Sequence, residues 1–219
     1  MKIFLASARL DDIRWAEGNG LLDGVFTTPA LLAGAGAEGD GRDRLAEICR
    51  AAHTPVYASV RAVSGADIFR DGRELAKISD QIVVQVPFLE DAIGSMRKLT
   101  SEGVRVLATL IFTPAQALLA AKMGATTVGI AVDAIDSLGV EGADTVAEIK
   151  AIFSASAIPC DILATNAQGC SHVTACALAG ADAIAMSSAV LRSLLVHPLT
   201  DRGLDEFLRE LSTQGKRPS

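Results

Sequence analysis

The chain has 219 residues, of which 50% are hydrophobic, 4% aromatic and 21% charged, and its formal net charge is −6 at pH 7. That length favours a single domain over 1–219, and the apolar share excludes a disordered chain. The acidic balance, with no local basic stripe, argues against nucleic acid, whose phosphates repel such a surface. Runs such as Val106–Phe112 fall far short of the roughly 20 apolar residues needed to cross a bilayer, so no membrane partner is expected.

From the amino terminus, Met1–Ala6 is too short an apolar stretch for a secretory signal and is followed by Arg9 and Asp11. The expected location is therefore cytoplasmic. β-Branched and apolar runs predict eight strands, near Lys2–Leu5, Gly24–Thr27, Val56–Val60, Gln81–Val86, Val104–Ile111, Thr126–Val132, Asp161–Ala164 and Asp182–Met186. Between them the apolar residues recur at helical spacing. Ile68, Leu75 and Ile78 mark one helix over Gly65–Ser79, and Val146, Ile149 and Phe153 mark another over Ala143–Ser154. Gly18, Gly103, Gly124 and Gly180 read as helix stops, while Pro55, Pro87 and Pro114 sit at boundaries where a missing amide donor does no harm.

The strands read as nearly continuous apolar runs, so both of their faces should be covered, as in parallel sheets. Eight strands alternating with helices close most simply as an α/β (β/α)8 TIM barrel; an open doubly wound sheet is the alternative, but no G-x-G-x-x-G follows the first strand. The Gly-rich stretch Gly34–Gly41 comes after the second strand and reads as a loop. Beyond the complete barrel, 198–219 reads as an additional C-terminal helix and tail. Within it Leu204, Phe207, Leu208 and Leu211 form an apolar face that must pack on this barrel or on a neighbouring subunit.

The four cysteines, Cys49, Cys160, Cys170 and Cys176, match no zinc or redox spacing and are expected to be small buried thiols. His53, His172 and His197 share no helical face with a second ligand-type residue, so no metal is expected. In a barrel of this kind the site lies at the carboxyl ends of the strands. The candidates there are Thr28, Ser59, Gln85, Thr109, Asp133 and Asn166, with Ser187 and Ser188 beside them. Gln85 is the anomaly: it interrupts the apolar run Ile82-Val83-Val84-Gln85-Val86-Pro87, and a buried amide must find a partner or face the barrel mouth.

Asp80-Gln81-Ile82-Val83-Val84-Gln85-Val86-Pro87 resembles the fourth-strand motif D-I-V-V-K-V-P of the transaldolase family, particularly its small fructose-6-phosphate aldolase branch. Gly24-Val25-Phe26-Thr27-Thr28-Pro29 resembles that family's G-V-T-T-N-P segment, and Thr109 to Ala121, with Gly124-Ala125, resembles its fifth unit. Ile135-Asp136 resembles the end of its R-I-D segment. The resemblance covers nearly the whole chain. It implies a barrel that needs no cofactor, acts on small carbonyl or sugar substrates and assembles as a pentamer or decamer, with the last helix on a neighbour.

The departures from that pattern bear on chemistry. The family's Schiff-base lysine falls on Gln85, whose amide nitrogen gives its lone pair to its own carbonyl and cannot condense with a ketone. The proton-handling aspartate of strand one falls on Ala6 and the asparagine of the second segment on Thr28. The water-holding residue of strand three falls on Ser59 and the aldolase branch's tyrosine on Ala131, so that only Thr109 remains of the water-binding set. The phosphate-binding arginine falls on Ala134, and the serine after strand seven on Asn166, followed by Gln168. Three readings follow. The first is a non-catalytic barrel that binds a small uncharged polar ligand. The second is an enzyme of changed, non-Schiff-base chemistry on a small carbonyl or sugar-like compound. The third is an ordinary aldolase with a relocated nucleophile, and the sequence favours the first.

Overall fold

The apolar strand runs close on themselves. In the computed structural model, which describes residues 1–214, eight parallel strands form a closed barrel in chain order. They are β1 (Lys2–Ala6), β2 (Gly24–Phe26), β3 (Val56–Ser59), β4 (Ile82–Pro87), β5 (Val106–Ile111), β6 (Thr127–Ala131), β7 (Asp161–Ala167) and β8 (Ala183–Met186). The barrel closes where Ile3 pairs with Ile184 and Leu5 with Met186. The chain is thus a (β/α)8 TIM barrel.

Alternate strand residues serve two cores, because successive side chains point to opposite faces of a strand. Phe4, Phe26, Tyr57, Val83, Leu107 and Leu163 fill the barrel interior, with the Phe4 and Tyr57 ring centroids 5.1 Å apart. Val25, Val56, Ala58, Val84, Val86 and Ile162 face outward under the helices. The two populations together make the strands largely apolar, with polar residues such as Gln85, Thr109 and Asn166 in their carboxyl halves.

The principal helices are α1 (Leu10–Gly18), α3 (Arg42–Ala51), α4 (Gly65–Ala76), α5 (Glu90–Ser101), α6 (Pro114–Lys122), α8 (Gly142–Ala155) and α9 (Cys170–Leu178). Short helices α2 (Pro29–Gly34), α7 (Val132–Asp136) and α10 (Ser188–Ser193) sit directly on the carboxyl ends of β2, β6 and β8. These three are too short to carry a readable apolar period. Thr28 and Ser187 start α2 and α10 as N-caps, their hydroxyl oxygens accepting from the Leu31 and Val190 amides. The Gly-rich stretch is a loop over 35–41, its first glycine closing α2.

Several boundary expectations shift: β5 starts at Val106 rather than Val104, and β7 runs on to Ala167 rather than Ala164. The helix over Gly65–Ser79 ends at Ala76, and the stop placed at Gly18 falls within α1. The left-handed turn after α1 is made by Gly20, at φ +67, whose amide reaches back to the Glu17 carbonyl. The cysteine expectation also needs correction. Cys49, Cys160 and Cys176 are buried but Cys170, the first residue of α9, is exposed. Cα–Cβ bonds tilt toward a helix's N-terminus, so the side chain of its first residue projects beyond the first turn. Burial pushes the Cys160 thiol up to about 12 and the Cys176 thiol to about 11, Asp136 adding to the latter, so neither supplies thiolate near neutral pH.

The last helix, α11 (Pro198–Gln214), does not settle on the barrel: Leu199, Leu204, Phe207, Leu208 and Leu211 are 49–64% exposed. The rest of the tail, including Lys216, lies outside the described residues. No helix among the described residues is long and apolar enough to cross a membrane.

Candidate functional site at the carboxyl mouth

Gln85 is fixed by its register. It pairs with Ser59 on β3 and Leu107 on β5, which places its side chain on the interior face one layer above Val83. The residue is 2% exposed, and its Nε2 donates to the Thr27 carbonyl at 2.7 Å. A carbonyl only accepts, so this bond assigns the amide orientation: nitrogen toward β2, Oε1 away from it. Thr27 is itself held, its hydroxyl and amide both donating to the Tyr57 carbonyl at 2.7 and 3.0 Å. Thr54 Oγ1 is the only buried side-chain polar atom without a partner among the described residues. The Gln85 Oε1 accepts no bond from the chain and is not fully covered, so it keeps a small opening above its layer.

Ser59 and Thr109 flank this acceptor on the neighbouring strands. Pro87 and Thr109 pair across β4 and β5, one layer above Gln85. Both residues are half-buried, and neither hydroxyl is taken up within the chain. Thr109 opens a bulge in β5 between Ala108 and Ile111, where Leu110 takes φ +60 and is 52% exposed. A left-handed leucine is strained, and the bulge turns Leu110 outward at the rim.

Thr28 and Asn166 meet across the barrel top. They line one cavity of about 320 Å³ with Ala6, Phe26, Leu31, Gln168, Met186 and Ser187. Asn166 sits on a second bulge, in β7 between Ala164 and Ala167, at φ +62, a conformation that asparagine tolerates better than most residues. Its carboxamide is exposed and has no partner within the chain. The cavity thus brings together two N-cap hydroxyls, which keep their protons to donate, and a free amide. Among the described residues, none of its lining groups is charged.

Asp133 stands at the rim, in the first turn of α7, rather than in the strand. Its Oδ1 accepts from the Ala134 amide at 2.8 Å and its Oδ2 from Gln168 Nε2 at 3.5 Å. It therefore orients Gln168 and satisfies one open amide in the first turn of its own helix. The sequence candidates fall into two groups: Ser59, Gln85 and Thr109 around the axis, Thr28 and Asn166 in the adjoining cavity, with Asp133 at the edge of the latter.

One pair was not legible from single-element spacing. His172 Nε2 lies 2.6 Å from Asp136 Oδ2, joining α9 to α7, while Asp136 Oδ1 accepts from the Gly142 amide at 2.7 Å. His172 Nδ1 accepts from the Gln168 amide at 3.2 Å, so its neutral ring carries the proton on Nε2 and donates it to Asp136. The dyad pins the loop that carries Asn166 and Gln168. Asp136 and His172 stand 36 positions apart on different helices, so neither residue's spacing in the sequence signals the other.

The lysines are placed elsewhere. Barrel helices run antiparallel to the strands, so their carboxyl ends lie at the amino mouth. Lys77 follows α4, Lys98 and Lys122 end α5 and α6, and Lys150 bonds Asp182 at 2.6 Å below β8. Lys2 opens β1 and pairs with Asp161 at 3.5 Å. No lysine among the described residues lines the carboxyl mouth. Nor do any three histidine, cysteine or acidic residues among them come together to hold a metal.

The family described as Transaldolase/Fructose-6-phosphate aldolase matches residues 3–217. A "Probable transaldolase" of Hyphomonas neptunium is 40% identical over 215 residues, covering 98% of this chain and 99% of that protein. One of Prosthecochloris aestuarii is 36% identical over 222 residues, covering 99% and 100%. Among solved structures, a mandelate oxidase mutant is similar in fold alone, with a TM-score of 0.59 at 15% identity, covering 85% of this chain and 64% of that one.

Proposed function

Because the chain belongs to the transaldolase/fructose-6-phosphate aldolase family, we propose that it is a barrel of that lineage in which lysine-dependent aldol chemistry is gone. In this reading the mouth binds a small, uncharged, polar ligand without turning it over. The observation that carries it is the fixed carboxamide of Gln85, tied to Thr27 and offering the pocket an acceptor where the family motif calls for an amine. A nucleophilic amine must bring a lone pair to the substrate carbonyl; Gln85 has none to bring. The ligand's hydroxyls instead find the Gln85 oxygen, the free hydroxyls of Ser59 and Thr109, and the Asn166 amide.

The missing charge is as telling as the missing amine. A phosphate is held by charge-assisted hydrogen bonds worth about 1.5–3 kcal/mol each, and Ala134, Asn166 and Gln168 supply none from a cation. Calorimetric titration with dihydroxyacetone and with dihydroxyacetone phosphate tests this. The phosphate is expected to change affinity by less than about tenfold, equivalent to ~1.4 kcal/mol. A phosphorylated form binding a hundredfold tighter overturns the neutral pocket.

A second reading has a specific observation behind it. Ser59 and Thr109 present two uncommitted hydroxyls on either side of Gln85, an arrangement that could polarise a carbonyl and hold a water without a covalent intermediate. Turnover of a carbonyl compound with no trappable adduct distinguishes that enzyme from a pure binding protein.

We further propose that the chain assembles as a ring-like homo-oligomer, a pentamer or decamer, with α11 on a neighbouring subunit. The support is its apolar face of Leu199, Leu204, Phe207, Leu208 and Leu211, left open by its own barrel. Light scattering of the full chain is expected to give a multiple of the 22.7 kDa protomer, and truncation before Pro198 a smaller particle. Identical masses for the two remove the helix from the interface.

A further inference from the structure

The opposite end of the barrel carries a polar layer of its own, set by strand alternation. Lys2 stands two residues before Phe4, Arg105 two before Leu107 and Asp161 two before Leu163. Phe4, Leu107 and Leu163 face the interior, so these three charges are directed inward at the amino mouth. With Asp23 they surround a cavity of about 290 Å³ whose base is Phe4, Tyr57 and Val83. We propose that this cavity is a binding site for a free α-amino acid with a small apolar side chain, distinct from the site at the carboxyl mouth.

The four charges are unequally committed. Lys2 and Asp161 answer each other across 3.5 Å. Arg105 has no carboxylate partner among the described residues. Its Nη2 donates to the Asp80 and Ile82 carbonyls at 2.6 and 3.5 Å, and its Nε and Nη1 find no acceptor among them. Asp23 has no cation partner among the described residues: its Oδ2 accepts from the Ile3 amide at 2.8 Å, and its Oδ1 accepts nothing. One open cation and one open carboxylate on the same cavity fit a guest that carries both charges and is neutral overall. The guanidinium of Arg105 suits the guest's carboxylate and Asp23 its ammonium, each through charge-assisted hydrogen bonds.

Tyr57 supplies the third contact. It is 6% exposed, and its hydroxyl meets the Thr127 side chain within the fields of Asp161 and Arg105. Burial pushes the phenol up, so at neutral pH it keeps its proton and donates it to the carboxylate that Arg105 holds. Below the charged layer the cavity offers only carbon: Phe4, Val83 and Pro55 give the guest's side chain no polar partner. A volume of this size lies at the small end of the range for ligand pockets, which suits an amino acid such as valine.

The test titrates the full-length protein with L-valine and, separately, with isovalerate and isobutylamine, which each lack one of its charges. Binding is followed by NMR at the Val83 methyls and the Asn166 amide. Valine is expected to give saturable shifts at Val83 and none at Asn166, and each half-ligand to bind at least tenfold more weakly. Asp23→Asn keeps an acceptor for the Ile3 amide and removes only the charge, so it should weaken valine about tenfold, as should Arg105→Gln. Tyr57→Phe should cost about three- to tenfold, the loss of one hydrogen bond. Non-saturating shifts at Val83, either half-ligand binding as tightly as valine, or undiminished affinity in Asp23→Asn overturns the site. The inference does not depend on the loss of lysine chemistry: the layer of Val83 lies between this cavity and Gln85, and a covalent adduct at the carboxyl mouth would leave it standing.

Discussion

Gln85→Lys is expected to restore an amine and almost no aldolase activity. The new side chain can reach the Thr27 carbonyl as Gln85 does, at 2.7 Å, and its ammonium then keeps its proton, leaving no lone pair for the ketone. Even a deprotonated amine needs groups to move protons through carbinolamine and iminium, and Ala6 and Ala131 have none to offer. Positioned general acids and bases contribute about 10²–10⁴-fold each time they are used. The variant should therefore fall at least that far short of an intact family aldolase in cleavage of fructose 6-phosphate, measured under saturating substrate. Turnover within tenfold of such an enzyme would show that proton transfer survives in this pocket by another route. Restoring an aspartate at Ala6 in the same chain is the next step, and its gain should exceed that of the lysine alone.

Asp136→Ala should cost about 2–3 kcal/mol in chemical denaturation. Its two oxygens hold His172 and the Gly142 amide, and hydrogen bonds to a charged acceptor contribute about 1.5–3 kcal/mol each, toward the low end for a half-buried carboxylate. The loss extends to the site. Without Asp136 the His172 ring is free to turn, Gln168 loses the acceptor for its amide, and the loop from Asn166 to Gly169 slackens. Hydrogen exchange at Gln168 should accelerate along with the fall in stability. Unchanged exchange at that amide would mean that the β7 bulge alone fixes Asn166, whatever the dyad contributes to folding.

The barrel was readable because its signal is repeated eight times. Each strand is an apolar run with both faces covered, and Val83-Val84 shows why: Val83 fills the interior while Val84 packs outward against α4 and α5. The candidate residues were legible at the strand ends, and Thr28, Ser59, Gln85, Thr109 and Asn166 do lie at the carboxyl mouth. Their division into two groups was not. It depends on the bulges in β5 and β7, which shift register by geometry that no residue type announces. The Asp136–His172 pair escaped because its members come from different elements, 36 positions apart, and single-helix spacing cannot see such a contact. Gly34–Gly41 was legible as a loop, but its placement follows from Arg44 and Arg61, which reach it from α3 and from beyond β3. The apolar face of α11 was read correctly, and its exposure shows which of two surfaces it leaves uncovered: its own barrel gives it no cover.

The most direct measurement is reductive trapping. The full-length protein is incubated with dihydroxyacetone or fructose 6-phosphate, reduced with borohydride and read by intact mass. An unmodified mass is the expected result in both cases, since Gln85 forms no iminium and the described lysines stand away from the mouth. A mass raised by one reduced sugar unit, mapped to any side chain of the polypeptide, would contradict the account.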